Sequence, residues 1–165
     1  MNDEKNGLLN NLNHLISVTS HKKQRVQDIL NMTKMQAEAI EQKDINLLTG
    51  YIREKQRHID AIDELDAKFT ERYEQNIKGE LASGSFKKRS WEERHLYERL
   101  QAEISQVQDI ISEIYQIEEE NNLKANELME ELKGKIRHIK TGKKGHNAYN
   151  RPYSHNDGIY IDQKK

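Results

Sequence analysis

The chain of 165 residues contains no cysteine, one proline, two phenylalanines and one tryptophan. Without cysteine there is no disulfide framework, no thiolate metal site and no cysteine nucleophile. A single proline argues against a fold of many short strands joined by turns. No stretch approaches the roughly 18 consecutive apolar residues of a membrane span. The opening Met1-Asn2-Asp3-Glu4-Lys5 lacks the charged-then-apolar pattern of a signal peptide, so the expected compartment is the cytoplasm. Apolar side chains are scarce as well. Val, Ile, Leu and Phe make up about 22% of the chain, close to the roughly 20% below which a chain stays disordered. A thick globular core is therefore excluded. Long amphipathic helices, each burying one stripe, need far less apolar material.

Charge is what the chain has in quantity: Asp, Glu, Lys and Arg form 33% of it, with a net of only −1. That balance conceals an asymmetry. Residues 1–132 carry −8 and residues 133–165 carry +7, an acidic body followed by a basic tail.

The apolar spacing predicts three long helices. In the first, about residues 3–42, Leu8, Leu12, Leu15, Ile16, Val26, Ile29, Leu30, Ala37 and Ile40 recur at steps of three and four, interrupted by Lys22 and Thr33. Asp44 is placed to cap the second, about 45–77, by accepting a free backbone N–H. That helix carries Ile45, Leu48, Ile52, Ile59, Ile62 and Phe69, with Lys55 and Asp66 as polar breaks. Residues 79–90 hold two glycines and three serines and read as a loop. Ser90-Trp91-Glu92-Glu93 is a capping box that opens the third helix, about 90–140. Leu100, Val107, Ile114, Asn121 and Leu128 there recur every seven residues. A second seven-residue series runs Tyr97, Ile104, Ile111, Glu118, Ala125, Leu132 and Ile139. Together they make a coiled-coil-like seam with a polar interruption around Glu118 to Asn122. Residues 141–165 contain the only proline and no leucine, and are expected to be a flexible basic tail. The fold class is all-α: a bundle of long antiparallel helices with a C-terminal extension.

Catalytic and metal chemistry find no support. Glu92 and His95 have the Glu-x-x-His spacing of helical di-iron sites, but that site needs the motif twice, and it occurs once. No glycine-rich phosphate loop and no nucleophile elbow is present. No cofactor is implied, and the chain does not read as an enzyme. The basic run Lys133, Lys135, Arg137, Lys140, Lys143 and Lys144, with Tyr149 and Tyr153 nearby, has the residue types of a nucleic-acid surface. Cations at a helix C-terminus are favoured by the helix dipole regardless, and the acidic body opposes a nucleic-acid partner.

The stripe Leu123, Leu128, Met129, Leu132, Ile136 and Ile139 is the most informative feature. Its plain reading is packing on the first two helices. The third helix, however, exceeds the second by some twenty residues, so its C-terminal end is expected to overhang. An overhanging apolar stripe is a helix-binding site, and Met129 adds an adaptable contact.

Three segments resemble the FlgN-type flagellar export chaperones. One is Gln36 to Leu48, a long helix reaching an Asp-centred break, with its continuation Glu54 to Asp66. Another is Asn121-Asn122-Leu123 with the amphipathic turn that follows. The last is the ending from Ala148-Tyr149 to Lys165, with its Gly158-Ile159-Tyr160-Ile161-Asp162. The resemblance implies a cytoplasmic, non-enzymatic chaperone of type III flagellar export. Its partners would be the C-terminal amphipathic segments of hook-associated junction proteins, of the FlgK and FlgL type, and a component of the export gate. It implies neither nucleic acid nor stable membrane insertion. The client-binding helix would be about 122–139, with Tyr149, Ile159 and Ile161 as tail positions of open role. Two alternatives stand beside it: a structural coiled coil that self-associates through the same seam, hence a homo-oligomer, and a FliT-like chaperone with a different client.

Overall fold

The computed structural model describes residues 2–84 and 88–142, and all of their regular structure is helical. Three long helices, α1 (Asn2–Glu41), α2 (Ile45–Asn76) and α4 (Trp91–Gly142), are joined by a tight turn and by a short helix α3 (Lys78–Ala82). The all-α bundle expected from the apolar spacing is the fold observed.

Local chemistry sets the helix ends. At the close of α1 the Asp44 N–H donates to the Ala39 carbonyl at 2.9 Å and the Lys43 N–H to that of Ile40 at 3.0 Å. This is a Schellman closure, and it places Lys43 at φ 56, the left-handed region usually left to glycine. Asp44 then caps α2 as its sequence position predicts, its carboxylate accepting the Leu47 N–H at 3.0 Å. The capping box at α4 also forms, in a modified way. The Glu93 N–H donates to Ser90 Oγ at 3.4 Å, while the Ser90 hydroxyl donates to Glu93 Oε1 at 3.1 Å. The box therefore closes through the serine hydroxyl rather than its backbone N–H.

Residues 79–90 depart from the loop expectation at their start. Ile77 is sealed from water in the cluster formed by Leu8, Leu12, Leu15, Ile16 and Leu100, and Leu81 packs on the same cluster. Two apolar residues four apart on one side of a chain are satisfied by a helical turn, so residues 78–82 coil as α3. Gly84, at φ +69, ends it.

Pairings across the bundle give its topology. Lys22–Asp66, Arg72–Asn11 and Lys55–Gln36 link α1 to α2 in antiparallel sense. Lys23–Glu103 and Lys34–Glu113 link α1 to α4 in parallel sense, and Lys43, just past the end of α1, pairs with Glu131 of α4. Helix α1 is therefore the central element, with α2 and α4 packed along two of its sides. Leu100, Val107, Ile114, Asn121 and Leu128, the first seven-residue series of α4, are all buried. A second cluster of Val26, Ile29, Leu30, Ile62, Val107 and Ile114 fills the middle. Each such Leu or Ile contributes on the order of 2 kcal/mol relative to exposure.

Candidate functional site: an overhanging helix end and a groove beside α1

Between the apolar core and the far end of α4 lies a buried polar layer, built from the residues that break each helix's apolar spacing. Lys55 donates to Glu118 Oε1 and, at 2.8 Å, to Gln36 Oε1. Asn121 Nδ2 donates to the Thr33 carbonyl at 3.0 Å, and the Thr33 hydroxyl donates back along α1 to the Ile29 carbonyl at 2.7 Å. Burial of Lys55 pushes its ammonium down from 10.5 to about 7. Gln36 Nε2 and Glu118 Oε2 have no hydrogen-bond partner in this layer. The interruptions at Thr33, Lys55 and Glu118 to Asn121 are thus one structure seen from three helices. Lys22 and Asp66, the other two breaks, pair with each other at 2.7 Å.

Past this layer α1 and α2 run out while α4 continues. Lys43, in the turn between α1 and α2, donates to Glu131 at 2.7 Å. Glu131 also pairs with Lys135 at 3.3 Å. Hydrogen bonds from Lys43 and then Lys135 hold the Glu131 carboxyl below its usual range. This tie marks where α4 leaves the bundle, and from there to Gly142 it extends by about 15 Å at 1.5 Å per residue.

The six stripe residues do not share one environment. Leu128 is 5% exposed, in contact with the rest of the bundle, whereas Ile139 is 54% exposed. Met129, Leu132 and Ile136 lie between these limits. These five fall within about a third of the helix circumference, from 100° per residue. Leu123 sits about 140° from Leu128 by the same geometry and is 67% exposed on another side of α4. Ile45 and Leu47, each 40% exposed, stand beside the turn at the same end of the bundle. They were not singled out from sequence as site residues, because the first turn of an amphipathic helix gives no sign of what covers it. Part of the basic run is neutralised within α4, Lys133 by Glu130 and Lys135 by Glu131. Tyr149, Ile159, Ile161 and the rest of the expected tail from residue 143 lie outside the described residues.

A second concavity was not foreseen at all. Helices α2 and α4 meet directly at Lys55–Glu118 but stand apart below it. The groove between them has a volume of about 540 Å³, with Val18 and Val26 of α1 as its floor. Among the described residues no group of His, Asp and Glu is arranged to hold a metal ion. His95 instead stacks on Trp91, ring centroids 5.0 Å apart. No helix among the described residues is long and apolar enough to cross a membrane.

Helices that sheathe one another, with one running on past the other two, define an extended helical bundle. The sequence model of the FlgN protein family matches residues 1–156. The chain belongs to the FlgN family. It is a non-enzymatic, cytoplasmic flagellar export chaperone for the hook-associated proteins FlgK and FlgL, and it engages the export apparatus. No curated protein and no solved structure matches the chain.

Proposed function

We propose that this chaperone grips its client with the projecting end of α4, through Met129, Leu132, Ile136 and Ile139, with Leu128 anchoring that end to the bundle. The observation that carries this reading is the continuation of the bundle's own seam beyond the helices that cover it. The stripe that packs on α1 at Val107, Ile114 and Leu128 runs on to Leu132 and Ile139 with no helix of equal length opposite it among the described residues. An amphipathic client segment supplies the missing partner by helix-on-helix packing. Ile45 and Leu47 widen the same apolar end. Leu123, facing elsewhere, stays outside this contact.

Such an arrangement suits a carrier. The client's apolar stripe is covered while it would otherwise drive early assembly. The contact is a few helical turns long, so it can be released at the gate. The test is a calorimetric titration with the C-terminal segments of the two junction proteins from the same organism. Wild-type chain should bind with a negative heat-capacity change, the mark of apolar burial. Leu132→Asp combined with Ile136→Asp should weaken binding by about a hundredfold, as loss of two central anchors does, with helical circular dichroism unchanged. Undiminished binding by the double variant would remove this face from the reading.

A further inference from the structure

The projecting end of α4 carries its charge unevenly. From Leu128 to Gly142 four cations, Lys133, Lys135, Arg137 and Lys140, stand against two carboxylates, Glu130 and Glu131, and no carboxylate follows Glu131. Glu130 pairs with Lys133 at 3.3 Å, and Glu131 is shared between Lys43 and Lys135. Arg137 is exposed and pairs with no carboxylate among the described residues. The helix dipole accounts for little of this surplus, because its effect is confined to the last turn, where Lys140 is the only cation. Lys140, Lys133 and Arg137 fall about 80°, 100° and 140° from Leu132, all on the Ile136 side of the stripe. Lower on α4 that same side faces α2: Ile111 lines the groove there, and Glu118 meets Lys55. Where α2 lies opposite, α4 thus offers a carboxylate to a cation. Past Ile45, where α2 begins, it offers cations instead.

We propose that the occupant of the α4 end is an amphipathic helix with a row of Asp or Glu beside its apolar stripe. The inference rests on the grip assigned above to Leu132, Ile136 and Ile139, and adds the charge of the partner. Steps of four and three separate Lys133, Arg137 and Lys140, so carboxylates once per turn on a facing helix meet them in register. Charges that flank a helix–helix seam set the choice of partner. Here they work against a second copy. Antiparallel copies would set this flank against itself, and parallel copies would set it against Lys135. They also steer an acidic helix to this end and away from the body, which carries −8 over residues 1–132.

Designed helical peptides of about twenty residues serve as probes against the full-length chain. They share one apolar stripe of Leu and Ile and differ only in the residues beside it, which are Glu, Gln or Lys. Binding at the stripe is the part that Leu132→Asp combined with Ile136→Asp abolishes. By calorimetry at low salt, the Glu peptide should bind there about tenfold more tightly than the Gln peptide, as three rim pairs supply. The Lys peptide should bind there more weakly than both. The advantage of the Glu peptide should shrink between about 0.05 and 0.5 M salt. Arg137→Glu with Lys140→Glu should turn the order round and favour the Lys peptide. Equal affinities of the Glu and Lys peptides for the wild-type chain would overturn the proposal and leave the apolar grip standing. So would an order that the charge reversal leaves unchanged. Failure of all the peptides would overturn it as well, and the junction-protein segments, with and without the Leu132 and Ile136 substitutions, then decide the grip by themselves. A stable dimer that those two substitutions dissolve would assign the stripe to a second copy instead.

Discussion

Lys55 on α2 and Glu118 on α4 form a salt bridge through the middle of the bundle, their side chains only 3% and 8% exposed. It is the point at which the two outer helices meet, and α1 contributes Gln36 and Thr33 to the same layer. A buried pair of this kind gains little net stability, because removing both charges from water offsets most of their attraction. Its consequence is register. A slip of either helix by one turn would strand a charge among Ile59, Ile62, Ile111 and Ile114.

Breaking the pair should cost far more than replacing it. Lys55→Met and Glu118→Leu are each expected to lower stability by about 3–5 kcal/mol, because each leaves the other charge buried alone. The combined variant should return to within about 1 kcal/mol of the wild type, or exceed it. Urea unfolding of the four proteins closes the cycle. Additive losses would show that the two residues act independently.

The same pair predicts a pH dependence. Lys55 is depressed by burial to about 7 in the folded chain, against 10.5 when unfolded. Between those values the unfolded chain binds more protons at this site than the folded one, so stability rises with pH across the window. Below pH 7 both states hold the proton and the contribution is constant. The slope is at most about 1.4 kcal/mol per pH unit. Glu118 from α4 is the charged group that faces Lys55, with Gln36 and Thr33 facing it from α1. Urea midpoints at pH 7, 8 and 9 should rise for the wild type more than for Lys55→Met combined with Glu118→Leu. A wild-type midpoint that falls over this range would contradict the assignment.

The series Leu100, Val107, Ile114, Asn121 and Leu128 was legible in the sequence because period alone specifies a helix face. Asp44 and Ser90 were legible because caps are chemical and local. Thr33, Lys55 and Glu118 were visible only as breaks. Their pairing depends on the offsets between helices, which no single helix encodes. Helix α3 escaped notice because five residues carry too little period to compete with neighbouring glycines. The groove was invisible for a further reason: Ile59, Phe69, Ile104 and Ile111 have the spacing of core residues. Only the separation of α2 from α4 leaves them half covered.

Gly50 and Asp44 test how much of α2 is held by local chemistry. A methyl group at Gly50 meets nothing within 4 Å, so Gly50→Ala should add about 1 kcal/mol from helix propensity alone. Asp44→Ala should remove about 1 kcal/mol by leaving the Leu47 N–H without its acceptor. The two changes are expected to nearly cancel when combined, read as thermal midpoints. A neutral Gly50→Ala would indicate that residue 50 sits in a frayed end rather than a formed helix.

Gly134 lies within the projecting end of α4, off the stripe that Leu132 and Ile136 share, and a methyl group there also meets nothing within 4 Å. Uncovered by α1 or α2, this stretch depends on its own propensity, and a glycine lowers that by about 1 kcal/mol relative to alanine. A client that docks on Leu132, Ile136 and Ile139 must find them on one face, so any ordering of the helix end opposes binding. Gly134→Ala should therefore raise helicity slightly and tighten client binding by up to about fivefold, the equivalent of 1 kcal/mol. The gain should appear as a smaller entropic penalty in calorimetry rather than as new contact enthalpy. Gly134→Pro, which breaks the helix between the same anchors, should weaken binding at unchanged bundle stability. If both variants bound the client as the wild type does, the grip would lie elsewhere on the bundle.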